Sequence, residues 1–207
     1  MIPALAWLLA VALLSSAPTV GAQTPATPAL LAEMKQGGYV IVFRHGATNR
    51  DQADTDPLNH DNVARQRLLS AAGREVAQKV GDAFRKLGIA LGPVYTSKFN
   101  RAVETGRLVS GGEVITTLDI TEGGLVVTPI ENDRRADAFR KLAATLPPPG
   151  KNVLIVSHKP NIIDAFGKDW FEVKEGEASI FKPDGTGKAM LVGRLQAVEW
   201  IKAAGGN

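Results

Sequence analysis

The sequence contains no cysteine, only three histidines and no run of lysines or arginines. Without cysteine, the chain has no disulfide, no thiol nucleophile, no thiolate metal site and no lipidated cysteine. The three histidines are far apart in sequence and no His-Glu-x-x-His motif occurs, so we predict neither a metal nor a cofactor. A net charge of +3 over 207 residues, without a basic cluster, gives no electrostatic basis for nucleic-acid binding.

The first 22 residues carry no charged side chain. The apolar stretch over 4–14 has the length of the hydrophobic region of a signal peptide, and the small residues 20–22 suit a cleavage site. Polar residues dilute the second half of the segment, whereas a membrane-spanning helix needs about 20 apolar residues. We therefore predict a signal peptide over 1–22, export to a bacterial periplasm and no stable membrane anchor. An uncleaved anchor is the alternative.

A Pro- and Thr-rich linker is predicted over 23–29, followed by one domain over 30–207. A continuous apolar run rich in Val and Ile at 39–43, and a second one at 153–156 within the segment 152–158, are typical of strands buried on both faces. They alternate with helical patterns along the chain. This alternation predicts an α/β domain with three layers, α/β/α, around a mostly parallel central sheet.

A helix is predicted between Ser70, a favourable N-cap, and Gly88, a favourable stop. The polar segment before it, over 47–66, is expected to be a long loop. Further strands are predicted over 93–97 and 113–120, further helices over 99–109, 134–146 and 161–167, and a terminal hairpin over 177–195.

Basic side chains follow the predicted strands where each strand ends. Arg44 and His45 end the first buried strand, His158 ends the second, and Arg101 lies in the first turn of the helix after 93–97. The carboxyl ends of parallel strands share one edge of a sheet, where ligands bind. Cations gathered there repel one another unless an anion neutralises them, and the planar arginine fork matches phosphoryl oxygens. The pattern predicts an anion site.

Three segments of the chain resemble those of the histidine phosphatase superfamily, which has the phosphoglycerate mutase-like fold. They are "FRHGATN" at 43–49, "TSKFNRAVETG" at 96–106 and "VSHKPNI" at 156–162. The resemblance extends over about residues 38–194, and the segments occur in the order that the superfamily has. It implies a metal-independent phosphomonoesterase that acts on a small phosphorylated substrate.

The resemblance also implies roles for individual residues. His45 would be the nucleophile that forms a phosphohistidine, and Arg44, Arg101 and His158 would bind the phosphoryl oxygens. Chemically, a neutral histidine whose one ring nitrogen donates to a backbone carbonyl keeps a free lone pair on the other nitrogen.

A leaving alkoxide needs a proton, so a general acid is expected. Glu122 fits the position that the resemblance implies, and Asp119, Glu175 and Glu177 are alternatives. The acid is lacking altogether in some related sequences. A rival interpretation follows from this, namely a non-catalytic phospholigand-binding domain of the same fold.

Three other polar residues have weaker assignments. Glu104 is expected to be structural and to orient Arg101 through an ion pair. Asn49 lies closer to the Arg-His-Gly triplet than the phosphate-binding asparagine of the superfamily does, so we do not assign a phosphate contact to it. His60 is expected to be solvated unless the long loop folds over the site.

Overall fold

The computed structural model describes residues 28–206 apart from 124–125. Its strands are β1 (Val40–Arg44), β2 (Leu91–Ser97), β3 (Ile115–Thr117), β4 (Asn152–Ser157), β5 (Ala178–Pro183) and β6 (Ala189–Leu195). They form one sheet in the order β3-β2-β4-β1-β5-β6. The first four in this order are parallel, and β5 and β6 are antiparallel to their neighbours. The predicted parallel sheet and terminal hairpin are confirmed.

The helices are α1 (Pro28–Met34), α2 (Ala71–Leu87), α3 (Asn100–Ser110), α4 (Pro129–Ala143), α5 (Lys159–Phe166) and α6 (Ala197–Ala203). Helix α2 begins as predicted after Ser70, whose side chain accepts a hydrogen bond from the Gly73 backbone N–H. It ends at Gly88, where a φ of 72° requires the left-handed conformation that glycine adopts most easily.

Successive residues of the central strands face opposite helical layers. Ile41 and Phe43 pack in one apolar cluster with residues of α1, α2, α3 and α6. Val40 and Val42 pack in a second cluster with residues of α4 and α5. Because a strand that is buried on both faces needs apolar residues at every position, this packing explains the continuous apolar runs. The three-layer prediction is confirmed.

Helix α4 and strand β3 differ from the predictions. Helix α4 begins at Pro129 rather than at residue 134, because the side chain of Thr128 caps it by accepting from the Glu131 N–H at 3.2 Å. Strand β3 covers only part of the predicted segment 113–120, which then turns into a short 3₁₀-helix. Helices α1 and α6 were not predicted.

The predicted signal peptide over 1–22 lies outside the described residues, as does the linker up to residue 27. Helix α1 begins at Pro28, so the end of the predicted linker is helical. Among the helices of the described residues, none combines the length and the apolar character that crossing a membrane requires.

Candidate active site

The register of the sheet places the basic residues side by side. Arg44, the last residue of β1, pairs with Ser157, the last residue of β4. The residues that follow these two, His45 and His158, therefore leave the sheet together, and their ring centroids are 5.1 Å apart. The site lies at the carboxyl edge of the sheet, as the sequence predicts.

His45 lies in a turn that its surroundings hold tightly. Its side chain donates from Nδ1 to the carbonyl oxygen of Gly46 at 2.8 Å, which leaves a lone pair on Nε2. The Gly46 N–H donates to Thr105 of α3 at 3.1 Å. The backbone of Ala47 packs against α2 so closely that a Cβ on Gly73 would lie 2.0 Å from the Ala47 oxygen. Packing of α2 and α3 thus determines where the His45 ring lies.

His158 is oriented from the end of β2. The Ser97 hydroxyl oxygen accepts from the Phe99 N–H at 3.1 Å and lies 2.7 Å from His158 Nε2. Among the described residues, Nε2 is the acceptor available to the Ser97 proton, so we assign the proton of the imidazole to Nδ1. Nδ1 is 3.5 Å from the carboxylate of Glu122 and has no hydrogen bond there.

Arg101 lies in the first turn of α3, with a side chain that is 1% exposed. Its guanidinium carbon is 4.3 Å from the ring centroid of Phe99, so one face of the guanidinium is covered. Nη1 donates to Asp54 at 3.0 Å and Nη2 donates to Glu122 at 3.2 Å. Two carboxylates therefore neutralise this buried cation.

Arg44 is the fourth basic residue of the candidate site. Its Nη1 donates to the carbonyl oxygen of Val173 at 2.7 Å, and its Nη2 lies 3.7 Å from the carboxylate of Glu175. Glu175 also accepts a long hydrogen bond, 3.5 Å, from the hydroxyl of Thr48. These contacts orient the guanidinium without using all of its donors.

Several polar atoms of this group have no hydrogen-bond partner among the described residues. They are Arg44 Nε, Arg101 Nε and His158 Nδ1, all of them buried. A buried donor without a partner costs about 1–3 kcal/mol. Three such donors, on side chains that lie near His45, suit a bound anion that would accept from them.

Burial, and then the charge of Arg101, lowers the pKa of the His45 imidazole to about 3. The same two causes, in the same order, hold the pKa of His158 well below its ordinary value. Both rings are therefore neutral in the folded protein at neutral pH, and His45 keeps the free lone pair of a nucleophile.

These shifts predict how stability depends on pH. In the unfolded chain, both histidines take up a proton below about pH 6.5, whereas the folded chain resists protonation, so unfolding binds protons. The contribution of the two histidines to stability is greatest above that pH and decreases as the pH falls below it, by up to about 1.4 kcal/mol per pH unit for each histidine. Urea unfolding at about pH 6.5 and about pH 5 measures the slope. His45→Asn should lack the part of this slope that His45 contributes. A His45→Asn variant with the wild-type slope would contradict the conclusion that burial keeps His45 neutral.

The carboxylates proposed as general acids occupy different environments. Glu122 is 28% exposed in its side chain and lies against Arg101 and His158. Asp119 pairs with Arg134 on the exposed surface of α4. Glu175 lies beside Arg44. Glu177 is buried and accepts hydrogen bonds from Arg194, Gln196 and the Lys174 backbone, so it holds the hairpin to the segment before it. Of these four, Glu122 alone contacts both Arg101 and His158.

The structure corrects the partner of Glu104. Its carboxylate binds Arg74 of α2 and not Arg101, because the packing of α2 on α3 brings Arg74 beside it. Asn49 donates to Gln52 and to the carbonyl of Leu69, so it closes the loop. The ring of His60 packs edge-on against Phe99 at 5.1 Å. The long loop thus folds over the start of α3.

Sequence reasoning missed Asp54, Arg67 and Gln66, which all lie in or next to this loop. Asp54 binds Arg101, and the guanidinium of Arg67 donates to Thr48 at 3.0 Å. The Gln66 side chain accepts from the Asn100 N–H at 2.8 Å and so caps α3. No periodic pattern in the sequence marks these residues. The one feature that could have pointed to them is the length of the loop, which exceeds that of an ordinary connection.

Among residues 28–206 without 124–125, no cluster of histidine and carboxylate side chains could hold a metal ion.

A family model described as the histidine phosphatase superfamily, branch 1, matches residues 40–126. This range includes Arg44, His45, Arg101 and Glu122, and it ends before His158. No curated protein matches the sequence.

Solved structures share the fold. The chain is similar to the protein histidine phosphatase SixA complexed with tungstate, with 18% identity and a TM-score of 0.52, over 78% of this chain and 98% of that one. It is similar to the phosphoserine phosphatase of Entamoeba histolytica in complex with 3-phosphoglyceric acid, with 14% identity and a TM-score of 0.52, over 77% and 98%. It is also similar to YhfR of Bacillus stearothermophilus, with 19% identity and a TM-score of 0.52, over 74% of this chain and 94% of that one. The predicted phosphoglycerate mutase-like fold is confirmed.

Proposed function

We propose that this chain, which belongs to the histidine phosphatase superfamily, hydrolyses a phosphate monoester through a phosphohistidine on His45, without a metal ion. The names of SixA and of the Entamoeba histolytica enzyme describe phosphatases, which supports phosphatase activity in general terms. The predicted signal peptide would place the reaction in the periplasm.

The observation that carries this proposal is the set of unpaired donors around His45. Arg44 Nε, Arg101 Nε and His158 Nδ1 are buried without partners, and the side chains that carry them lie near His45, which has a lone pair on Nε2. A phosphoryl group has three oxygens that accept hydrogen bonds and a phosphorus atom open to attack. This combination suits phosphoryl transfer, in which charge develops on the equatorial oxygens.

The reaction follows from these groups in two steps. As the phosphate ester binds, the carboxylate of Glu122 takes up a proton from solvent. His45 Nε2 then attacks phosphorus as the bond to the ester oxygen breaks, and the leaving alkoxide takes that proton from Glu122. Water then attacks phosphorus, the nitrogen–phosphorus bond breaks, and the proton of the water passes to Glu122. Arg44, Arg101 and His158 stabilise the charge of the phosphoryl oxygens in both steps.

Phosphate release from p-nitrophenyl phosphate in the presence of EDTA tests the function. We expect turnover that EDTA does not reduce, because in the proposed mechanism positively charged side chains stabilise the charge that metal ions stabilise in other enzymes. A protein that binds inorganic phosphate without releasing p-nitrophenol would be the non-catalytic binding domain. A protein that does neither would refute the anion site itself.

A further inference from the structure

The two carboxylates that bind Arg101 are held in different ways. One face of the guanidinium lies on Phe99, so an anion reaches this buried group through its in-plane N–H groups. Nη1 is bound by Asp54 and Nη2 by Glu122. Arg101 Nε has no partner among the described residues, but a phosphoryl oxygen that binds Nη2 as well must take the place of Glu122.

Asp54 is anchored to the protein independently of Arg101. Its Oδ1 also accepts a hydrogen bond from the backbone N–H of Arg67 at 2.9 Å. The N–H of the next residue, Thr55, donates to the carbonyl oxygen of Arg65 at 2.9 Å. These bonds close the loop next to Asp54, so its carboxylate remains in place when other groups move.

Glu122 has no such anchor for its carboxylate. Among the described residues, its polar contacts are Arg101 Nη2 at 3.2 Å and His158 Nδ1 at 3.5 Å. Both are groups to which we assign the phosphoryl oxygens. The carboxylate of Glu122 therefore lies where a substrate oxygen would have to lie.

The backbone before Glu122, in contrast, is fixed. The carbonyl oxygen of Thr121 accepts from Arg135 at 2.9 Å and from Asn161 at 3.2 Å. The Thr121 hydroxyl donates to the carbonyl of Thr117 at 2.6 Å. If the carboxylate of Glu122 leaves Arg101, it therefore stays next to the site, because these hydrogen bonds hold the backbone before it in place.

We propose that Asp54 is a positioning residue that holds Arg101 throughout the reaction, and that Glu122 is an internal anion that the phosphoryl group displaces from Arg101 and His158. This inference rests on the phosphatase function proposed above. It assigns Glu122 two successive positions, one that neutralises the empty site and one beside the bound phosphoryl group. An anion must compete with Glu122 to bind, so weakly charged ligands are disfavoured.

Calorimetric titration with inorganic phosphate tests the displacement. Glu122→Gln should bind phosphate about fivefold more tightly than wild type, a change of about 1 kcal/mol, because phosphate no longer competes with a carboxylate for Arg101. Glu175→Gln is the matched control, because Glu175 is equally exposed and lies beside the other arginine without occupying Arg101. An equal gain in both variants, or no gain in Glu122→Gln, would overturn the displacement.

Steady-state kinetics with p-nitrophenyl phosphate test the role of Asp54. Asp54→Ala should lower kcat about tenfold, because a hydrogen bond to a charged group is lost. Asp54→Asn should retain most of kcat, since the amide oxygen can accept both hydrogen bonds. It also keeps the test valid if the alanine variant does not fold.

A double-mutant cycle with Arg101→Ala separates positioning from a merely structural role. If Asp54 acts through Arg101, Asp54→Ala should lower kcat no further in the Arg101→Ala background. Additive losses would overturn the assignment. These outcomes differ from a failure of the proposed function, in which the wild-type protein itself would neither bind phosphate nor turn over substrate.

Discussion

His45→Ala abolishes turnover and the phosphoenzyme together. The expected loss in kcat is at least about three orders of magnitude, because the two-step route depends on a covalent bond that only a nucleophile can form. The Nδ1 hydrogen bond to Gly46 fixes the ring, and no other described histidine side chain occupies an equivalent turn between β1 and the two packed helices. Rapid quenching with labelled substrate, followed by acid treatment, measures the acid-labile phosphohistidine.

His60→Ala is the control for this prediction. His60 packs on Phe99, on which the guanidinium of Arg101 also lies, so its loss disturbs the surroundings without removing the proposed nucleophile. This variant should still form the phosphoenzyme. A phosphoenzyme in His45→Ala, or its loss in His60→Ala alone, would transfer the nucleophilic role to another histidine.

The parts of the fold that depend on local interactions could be predicted from the sequence. Ser70 and Gly88 delimit α2 through their own hydrogen bonds and backbone conformation, and β1 and β4 need apolar residues on both faces. The juxtaposition of His45 and His158 was predictable as well, since the carboxyl ends of neighbouring parallel strands meet at one edge.

The parts that depend on tertiary packing could not be predicted. Glu104 was predicted to orient Arg101 through an ion pair, but the packing of α2 on α3 brings Arg74 to it. Asp54 reaches Arg101 across a long loop whose path no short-range pattern specifies. Electrostatic partners of a buried arginine come from whichever segments fold onto it, so they follow from the tertiary structure.

Glu122→Gln should separate substrates by their leaving groups. A sugar or alkyl phosphate leaves as a strongly basic alkoxide, so loss of the proton donor should lower its turnover by about 10²–10⁴-fold. p-Nitrophenolate is a weak base and needs little protonation, so most of its turnover should remain. The ratio of kcat/KM for the two substrates, compared between wild type and variant, measures the effect.

The control variant and the binding data decide what a loss in Glu122→Gln means. Glu175→Gln is a better control than Glu177→Gln, because Glu177 is buried against Arg194 and its loss would destabilise the hairpin. A selective loss in Glu175→Gln alone would assign the acid to Glu175. Equal losses on both substrates in Glu122→Gln would indicate that Glu122 organises Arg101 and His158 instead of donating a proton. If Glu122→Gln binds phosphate more tightly and also loses turnover selectively on alkyl esters, both proposed positions of Glu122 are supported. Displacement by phosphate and proton donation to the leaving group then depend on the same carboxylate.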